Sequence, residues 1–396
     1  MTWHHSHNVI QKYQKLASDF IANTDPYPTQ LFNGRGIVIC GGGARLFTNA
    51  WVCINMLRHF KCSLPIQLWY LDECEMDPAT IAVVKELDVE CVNAQQIAKT
   101  YPMKNLNGWE LKAFALLYSR FNEVLLLDAD NIPTADPSYL FDTQEYKTNG
   151  AIFWPDYGRL GVERPIWQIC EVPYRDEPEI ESGQVIADKQ RCWKALSLAR
   201  HYNEHSDFYY RYIHGDKCTF QLAFHRLDTP YSIPPYPIYS LDSTMCQRDF
   251  KGYRIFQHRN MDKWNYSGAN KHIFDFWHEP LCRDFIKQLR ENWCGRIWWS
   301  AEPDKPSYEL VKDCRFKYTR VGHDNRDMTL NSDRTVGEGA AACERAWNTA
   351  TIAGQPFLIL LGDNEPTCKL THVNTETWAG RWFRHERMPI EMRHIR

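Results

Sequence analysis

Val124-Leu125-Leu126-Leu127-Asp128-Ala129-Asp130-Asn131 is a run of four aliphatic residues that passes straight into two carboxylates spaced i, i+2. An aliphatic run of that length behind a helical pattern reads as a buried strand of an α/β sheet, with the aspartates where the strand leaves the core. Ligands in open α/β sheets collect at the carboxyl ends of strands, so the pair stands where a ligand would. Two carboxylates at the rim of a dry core repel unless a cation or hydrogen-bond donors compensate them, and hard oxygen donors suit Mg²⁺ or Mn²⁺. A metal held by one or two carboxylates keeps positions free for diphosphate oxygens. The plain alternative is a turn in which Asp128 or Asp130 caps the segment from Pro133 to Leu140.

Upstream, apolar positions at helical spacing over residues 9–24 end at Asp25-Pro26-Tyr27-Pro28 and predict a lead-in helix. Ile37-Val38-Ile39-Cys40 reads as the first buried strand and closes on Gly41-Gly42-Gly43, which allows backbone N–H groups to approach a phosphate or equally makes a flexible turn. Strands at 65–71 and 89–92 with a helix between them continue the alternation expected of a parallel sheet. The helix 108–120 leads into the aspartate strand, and its Lys112, flanked by apolar residues, must reach a polar site or snorkel to solvent.

Downstream, the apolar strand Ala151 to Pro155 ends at Asp156, and Glu181-Ser182-Gly183-Gln184 predicts a glycine turn into a further strand. Asp216, behind Gly215, opens an amphipathic helix, where an acid also suits the helix dipole. His258 follows a short strand and is a candidate third ligand beside the carboxylates. From about residue 301 the texture changes to short strand-like runs separated by turn signals, which predicts a small all-β module. Its Trp347, Trp378 and Trp382 and the run Arg384-His385-Glu386-Arg387 either bind a glycan or close a core.

The 396 residues, 44% hydrophobic and 24% charged, are those of a globular chain able to bury a core, and a net charge of −3 gives no reason to expect nucleic acid or an anionic membrane as the main partner. The 14 cysteines form neither a Cys-x-x-Cys pair nor a cluster of zinc spacing. The start of the sequence carries no leader pattern, and no stretch has 18 consecutive apolar residues, so no transmembrane segment is expected and the location expected is cytoplasmic.

Taken in order, Gly41-Gly42-Gly43, Gly108-Trp109-Glu110-Leu111-Lys112, Leu127 to Pro133, Phe153-Trp154-Pro155-Asp156, Glu181 to Gln184, Gly215-Asp216-Lys217 and Phe256-Gln257-His258 resemble the GT-A-fold α-mannosyltransferases related to fungal Golgi enzymes. The resemblance implies a GT-A-like (Rossmann-like), mostly parallel central sheet with flanking helices, over residues 35–300. It leaves a helical lead-in at 1–34 and the β-rich module at 301–396. It implies a metal-dependent transferase using a nucleotide-sugar donor, GDP-mannose, with retention, onto a glycan or lipid-linked acceptor. Asp128 and Asp130 would be the D-x-D motif and His258 would complete a Mn²⁺ (or Mg²⁺) site. Lys112, the glycine loop and Asp128 would face the donor diphosphate, while Trp154, Asp156, Gln184 and Asp216 would line the sugar or acceptor side, the last three as candidate catalytic residues. The lack of an anchor and stalk points to a bacterial or viral relative. The rival readings are a non-catalytic carbohydrate-binding protein on the same fold and a nucleotidyltransferase. A haloacid-dehalogenase-type phosphatase is disfavoured, because its D-x-D lies on the first strand and three strands precede it here.

Overall fold

The computed structural model describes residues 6–297, 303–352, 354–363, 365–382 and 385–395. They fall into two units, one built from the chain up to Leu71 together with Ile81–Asn292, the other from Asp72–Thr80 together with the chain from Trp293 onward.

In the first unit the aliphatic run is the centre of a six-stranded sheet. Its strands are β1 (Arg35–Cys40), β2 (Ile66–Tyr70), β3 (Val89–Asn93), β4 (Glu123–Asp128), β6 (Ala151–Pro155) and β7 (Ile180–Asp188), in the order β3-β2-β1-β4-β7-β6. The strands β3, β2, β1 and β4 are parallel, and β7 is antiparallel to both β4 and β6. Val124 to Leu127 are fully buried, as continuous aliphatic runs must be when helices cover both faces of a sheet. This is the GT-A-like α/β arrangement. A second, four-stranded sheet joins the short β5 (Asn131–Pro133) to β8 (Tyr239–Leu241), β9 (Thr244–Arg248) and β10 (Arg254–His258), in the order β5-β10-β9-β8.

Two expectations change. Glu181, Ser182 and Gly183 lie inside β7, so the glycine there does not make a turn. Neither Asp128 nor Asp130 caps the segment after Pro133, because the side chain of Asp136 caps it by accepting from Ser138 N.

The helix Glu110–Tyr118, which carries Lys112, is anchored at its far end by a second lysine. Lys189 is 0% exposed, and its Nζ donates to Leu117 O at 3.1 Å and to Ser119 O at 2.6 Å, while lying 3.6 Å from the Phe32 ring centroid. The Lys189 Nζ, whose pKa burial pushes well down, thus satisfies carbonyls that the end of a helix leaves without partners. Lys189→Met keeps the apolar stem and strands those carbonyls in a dry site. It is expected to destabilise the chain by about 2–4 kcal/mol, read as a lower urea midpoint.

The second unit is a seven-stranded antiparallel sheet in the order β12-β11-β17-β16-β15-β14-β13, from β11 (Cys314–Arg320), β12 (Asp324–Leu330), β13 (Ala346–Ile352), β14 (Gln355–Leu361), β15 (Pro366–Asn374) and β16 (Thr377–Trp382) to β17 (His385–His394). Trp347, Trp378 and Trp382 are all buried in its core, so they close that core and present no platform for a sugar. The side chains of Arg384 to Arg387 lie outside the described residues. Pro306 sits in the first turn of the helix Lys305–Val311. The segment Asp72–Thr80 belongs to this unit through the buried Lys369–Asp72 ion pair and the packing of Cys74 against Ala350 and Ile359. Among the described residues no helix is long and apolar enough to cross a membrane.

Candidate metal and donor site

Strand register assembles the site. Cys40 of β1 is in register with Asp128 of β4, so the glycine turn and the aspartate turn leave the sheet side by side. On the other flank Gln184 of β7 stands opposite Leu127, which carries Gly183, Ser182 and Glu181 past the aspartates. The chain then re-enters pairing as β5, where Asn131 lies opposite His258 of β10.

The outcome is a cluster in which Asp128, Asp130 and His258 each offer one ligand atom, all within 4.8 Å of one another. His258 Nε2 stands 3.3 Å from Asp130 Oδ2 and 3.7 Å from Asp128 Oδ2. Lys112 does reach a polar site: its Nζ is 3.0 Å from Asp128 Oδ1 and 3.4 Å from Asp216 Oδ2, and it donates to Ser182 Oγ at 2.9 Å. Lys263 pairs with Asp130.

Electrostatics follow from burial against charge. Asp130 is 2% exposed, and burial pushes its pKa up, but the His258 imidazole and the Lys263 ammonium outweigh burial and hold the carboxyl well below the usual range. The same pairing lifts His258 above the usual imidazole value against its own desolvation. Desolvation also opposes charge on Lys112, yet Asp128 and Asp216 keep it firmly protonated. Asp216 and Glu181 go the other way: burial raises both, offset only in part by Lys112 at Asp216 and by His258 and then Lys112 at Glu181.

The donor set fits a divalent cation. Two carboxylates and one imidazole converge, with the mixed oxygen and nitrogen character that suits Mn²⁺. The positive charge of Lys263 and of a protonated His258, now balancing Asp130, is of the kind a divalent ion would replace. Gly183 allows the histidine in, since a Cβ added there would lie 2.7 Å from His258 Nδ1.

The other expected residues divide. Gly42 and Gly43 open the helix Gly43–His59 beside Asp128, where free N–H groups favour an anion. Gly41 is a packing residue: its N–H donates to Trp69 O, and an added Cβ would meet Ala50 Cβ and Leu68 Cδ1 at 2.8 Å, so it lets that helix lie close on the sheet. Trp154 does not line the site; it is fully buried, its indole donating to Arg248 O at 2.9 Å and its ring set edge-on to Phe256. Gln184 is also fully buried, and its amide is used up in accepting from Asn131 Nδ2 at 2.5 Å and donating to Gln247, so it braces the turn after the aspartates instead of meeting substrate. Asp156 is engaged by Lys217, which also contacts Glu179 at 2.7 Å, and accepts from Tyr157 N. Asp216 is brought into the cluster through Lys112. Sequence reasoning gave no part to Lys263, Ser182 or Glu181, though the last two stood in a motif it quoted; Lys263 carries no local signal.

If His258 is a ligand, Gly183→Ala must push its ring aside. Mn²⁺ affinity, followed by the loss of the free-ion electron paramagnetic resonance signal, is expected to fall by about 10–100-fold. Unchanged affinity would remove His258 from the ligand set.

An α/β sheet of this order with an acidic, histidine-completed cluster at its carboxyl edge defines a GT-A-like domain. Residues 34–179 and 173–259 match the family model described as "Mannosyltransferase putative", more than half of the chain, and the chain belongs to that mannosyltransferase family. It is 28% identical over 256 residues to Alpha-1,2-mannosyltransferase MNN21 of Candida albicans, covering 50% of this chain and 38% of that protein. It is 28% identical over 316 residues to Alpha-1,2-mannosyltransferase MNN5 of Saccharomyces cerevisiae, covering 63% of this chain and 53% of that one. The chain thus spans about half or less of the length of these curated relatives. Among solved structures, the Streptococcus pneumoniae glycosyltransferase GlyE superposes with a TM-score of 0.40 at 13% identity, covering 68% of this chain and 67% of that one. Mouse xyloside xylosyltransferase 1 gives 0.36 at 14% identity, covering 50% and 84%. Superpositions this loose carry neither substrate nor mechanism across.

Proposed function

We propose that the chain is a metal-dependent α-mannosyltransferase that moves mannose from GDP-mannose, with retention, onto a hydroxyl of a glycan or lipid-linked acceptor. The observation that carries this reading is the convergence of Asp128, Asp130 and His258 at the carboxyl end of β4 in a chain of the mannosyltransferase family. Names of the relatives support mannose and the α linkage.

Asp128, Asp130 and His258 would hold Mn²⁺ or Mg²⁺, which when bound supplies positive charge against the diphosphate leaving group. Gly42 and Gly43 offer backbone N–H groups for a phosphate at the helix N-terminus. Lys112, tied to Asp128, Asp216 and Ser182, fixes the orientation of Asp128 and keeps a permanent positive charge under the donor. The buried Asp216 Oδ2 lies 3.4 Å from Lys112 Nζ and has no hydrogen-bond donor among the described residues, so it could accept one from a sugar hydroxyl.

Asp130→Ala is expected to cut mannose transfer at least about 100-fold with an unchanged circular dichroism spectrum, and chelation of wild-type enzyme should do the same; full activity after either would remove the metal role. Donor identity is read separately. GDP-mannose with Mn²⁺ at 100 times its Kd should stabilise the fold by about 2.7 kcal/mol, visible as a raised Tm that metal-free buffer abolishes. A preference for UDP-sugars would overturn mannose while keeping the transferase, and no response to any nucleotide would favour a carbohydrate-binding protein.

A further inference from the structure

We infer that the chain holds a second metal site, for a borderline divalent ion such as Zn²⁺, formed by His201, Glu204 and His205 at the end of the helix Lys189–Glu204. The spacing His201-Tyr202-Asn203-Glu204-His205 places the three side chains at i, i+3 and i+4, which share one helix face. One ligand atom from each lies within 4.8 Å of the other two.

The three residues are prepared for this in different ways. His201 is 5% exposed, and its Nε2 has no hydrogen-bond partner, an expensive state for a buried polar atom that a metal would relieve. Its ring is held by stacking on Phe20 at 4.5 Å. His205 has Nδ1 3.0 Å from His201 O; a proton on that nitrogen is the arrangement that turns the Nε2 lone pair outward for a metal. Glu204 accepts from Lys104 N at 3.1 Å and faces Arg200 at 3.3 Å, two contacts on a carboxylate with about four lone-pair positions. The Lys104 ammonium is turned to Asp207 at 3.1 Å, so the acid and base charges around the cluster are balanced.

Two imidazoles and one carboxylate form a set in which a fourth, open position is filled by water, as at tetrahedral Zn²⁺. The chemistry separates this site from the first. Nitrogen-rich donors favour Zn²⁺ over Mn²⁺ and Mg²⁺, whereas the two aspartates and one histidine of the donor site are oxygen-rich. The rings also face the helix His7–Asn23, His201 through Phe20 and His205 through Tyr13 at 5.6 Å. A bound ion therefore fixes the helix end on which that N-terminal helix packs.

The full chain, stripped by chelator, is titrated with Zn²⁺ in the Asp130→Ala background, which disables the donor site. The expected result is one Zn²⁺ retained per chain after dialysis and a raised Tm, both lost on adding His205→Gln. No retained Zn²⁺ in Asp130→Ala, or retention and Tm shift unaltered by His205→Gln, would overturn the site. Should the double variant fail to fold, Glu204→Gln in the otherwise native chain decides: at least a tenfold loss of affinity at one of two Zn²⁺ sites supports the inference, and two undiminished sites refute it.

Discussion

Two carboxylates, one half-buried and one buried, within a few ångströms of each other at the end of an aliphatic strand cannot both stay ionised unless positive charge is brought to them. The first unit is organised around that requirement. Asp128 and Asp130 are delivered to the rim of the core by Val124 to Leu127, whose burial fixes where the strand must stop. Compensation then comes from three directions: Lys112 from the helix before β4, His258 from the antiparallel β10, and Lys263 from the loop after it. None of these is near the aspartates in sequence except Lys112. The site therefore exists only when β1, β4, β7, β5 and β10 are all in register, because a one-residue slip turns each side chain to the opposite face.

The division between what was legible and what was not follows from this. Strands buried on both faces read as unbroken aliphatic runs, so β1 and β4 stand out in the sequence, and the carboxylates that end β4 are conspicuous because nothing else polar interrupts it. Pairing partners leave no such trace. That β7 returns antiparallel beside β4 and that β10 meets β5 are tertiary facts, and they decide what Gly183, Gln184 and Trp154 do. Gly183 looked like a turn residue, and its absent Cβ in fact makes room for an imidazole. Gln184 and Trp154 had site roles only through the family resemblance, but alternation along a strand sends neighbours to opposite faces, and these two point into packing. The C-terminal module was legible as β from its turn spacing, whereas its recruitment of Asp72–Thr80 from the first half of the chain rests on the Lys369–Asp72 pair, which no local pattern announces.

Glycines at the end of β1 show the same limit at finer grain. Three consecutive glycines suggest one flexible phosphate loop, yet they serve different constraints. Gly41, just past β1, still donates to Trp69 O of β2 and is glycine because the helix Gly43–His59 lies against it; Gly42 and Gly43 form the helix entry, with Gly43 at φ +77° in the left-handed region. Close packing of that helix is what aims its N-terminus along the carboxyl edge of the sheet, so the packing glycine and the entry glycines act in series.

The two lysines at the aspartates are not equivalent, and the difference bears on how the donor site can accept a cation. Lys112 has several fixed partners, Asp128, Asp216 and both oxygens of Ser182, and moving it would strand all of them in a dry site. Lys263 reaches Asp130 from the solvent side, with 20% of its side chain exposed. An ammonium on a flexible stem at the surface can swing into water at little cost, whereas a buried one with four contacts cannot. A divalent ion held by Asp128 and Asp130 would therefore replace the positive charge on Lys263 and His258, while Lys112 would keep its partners.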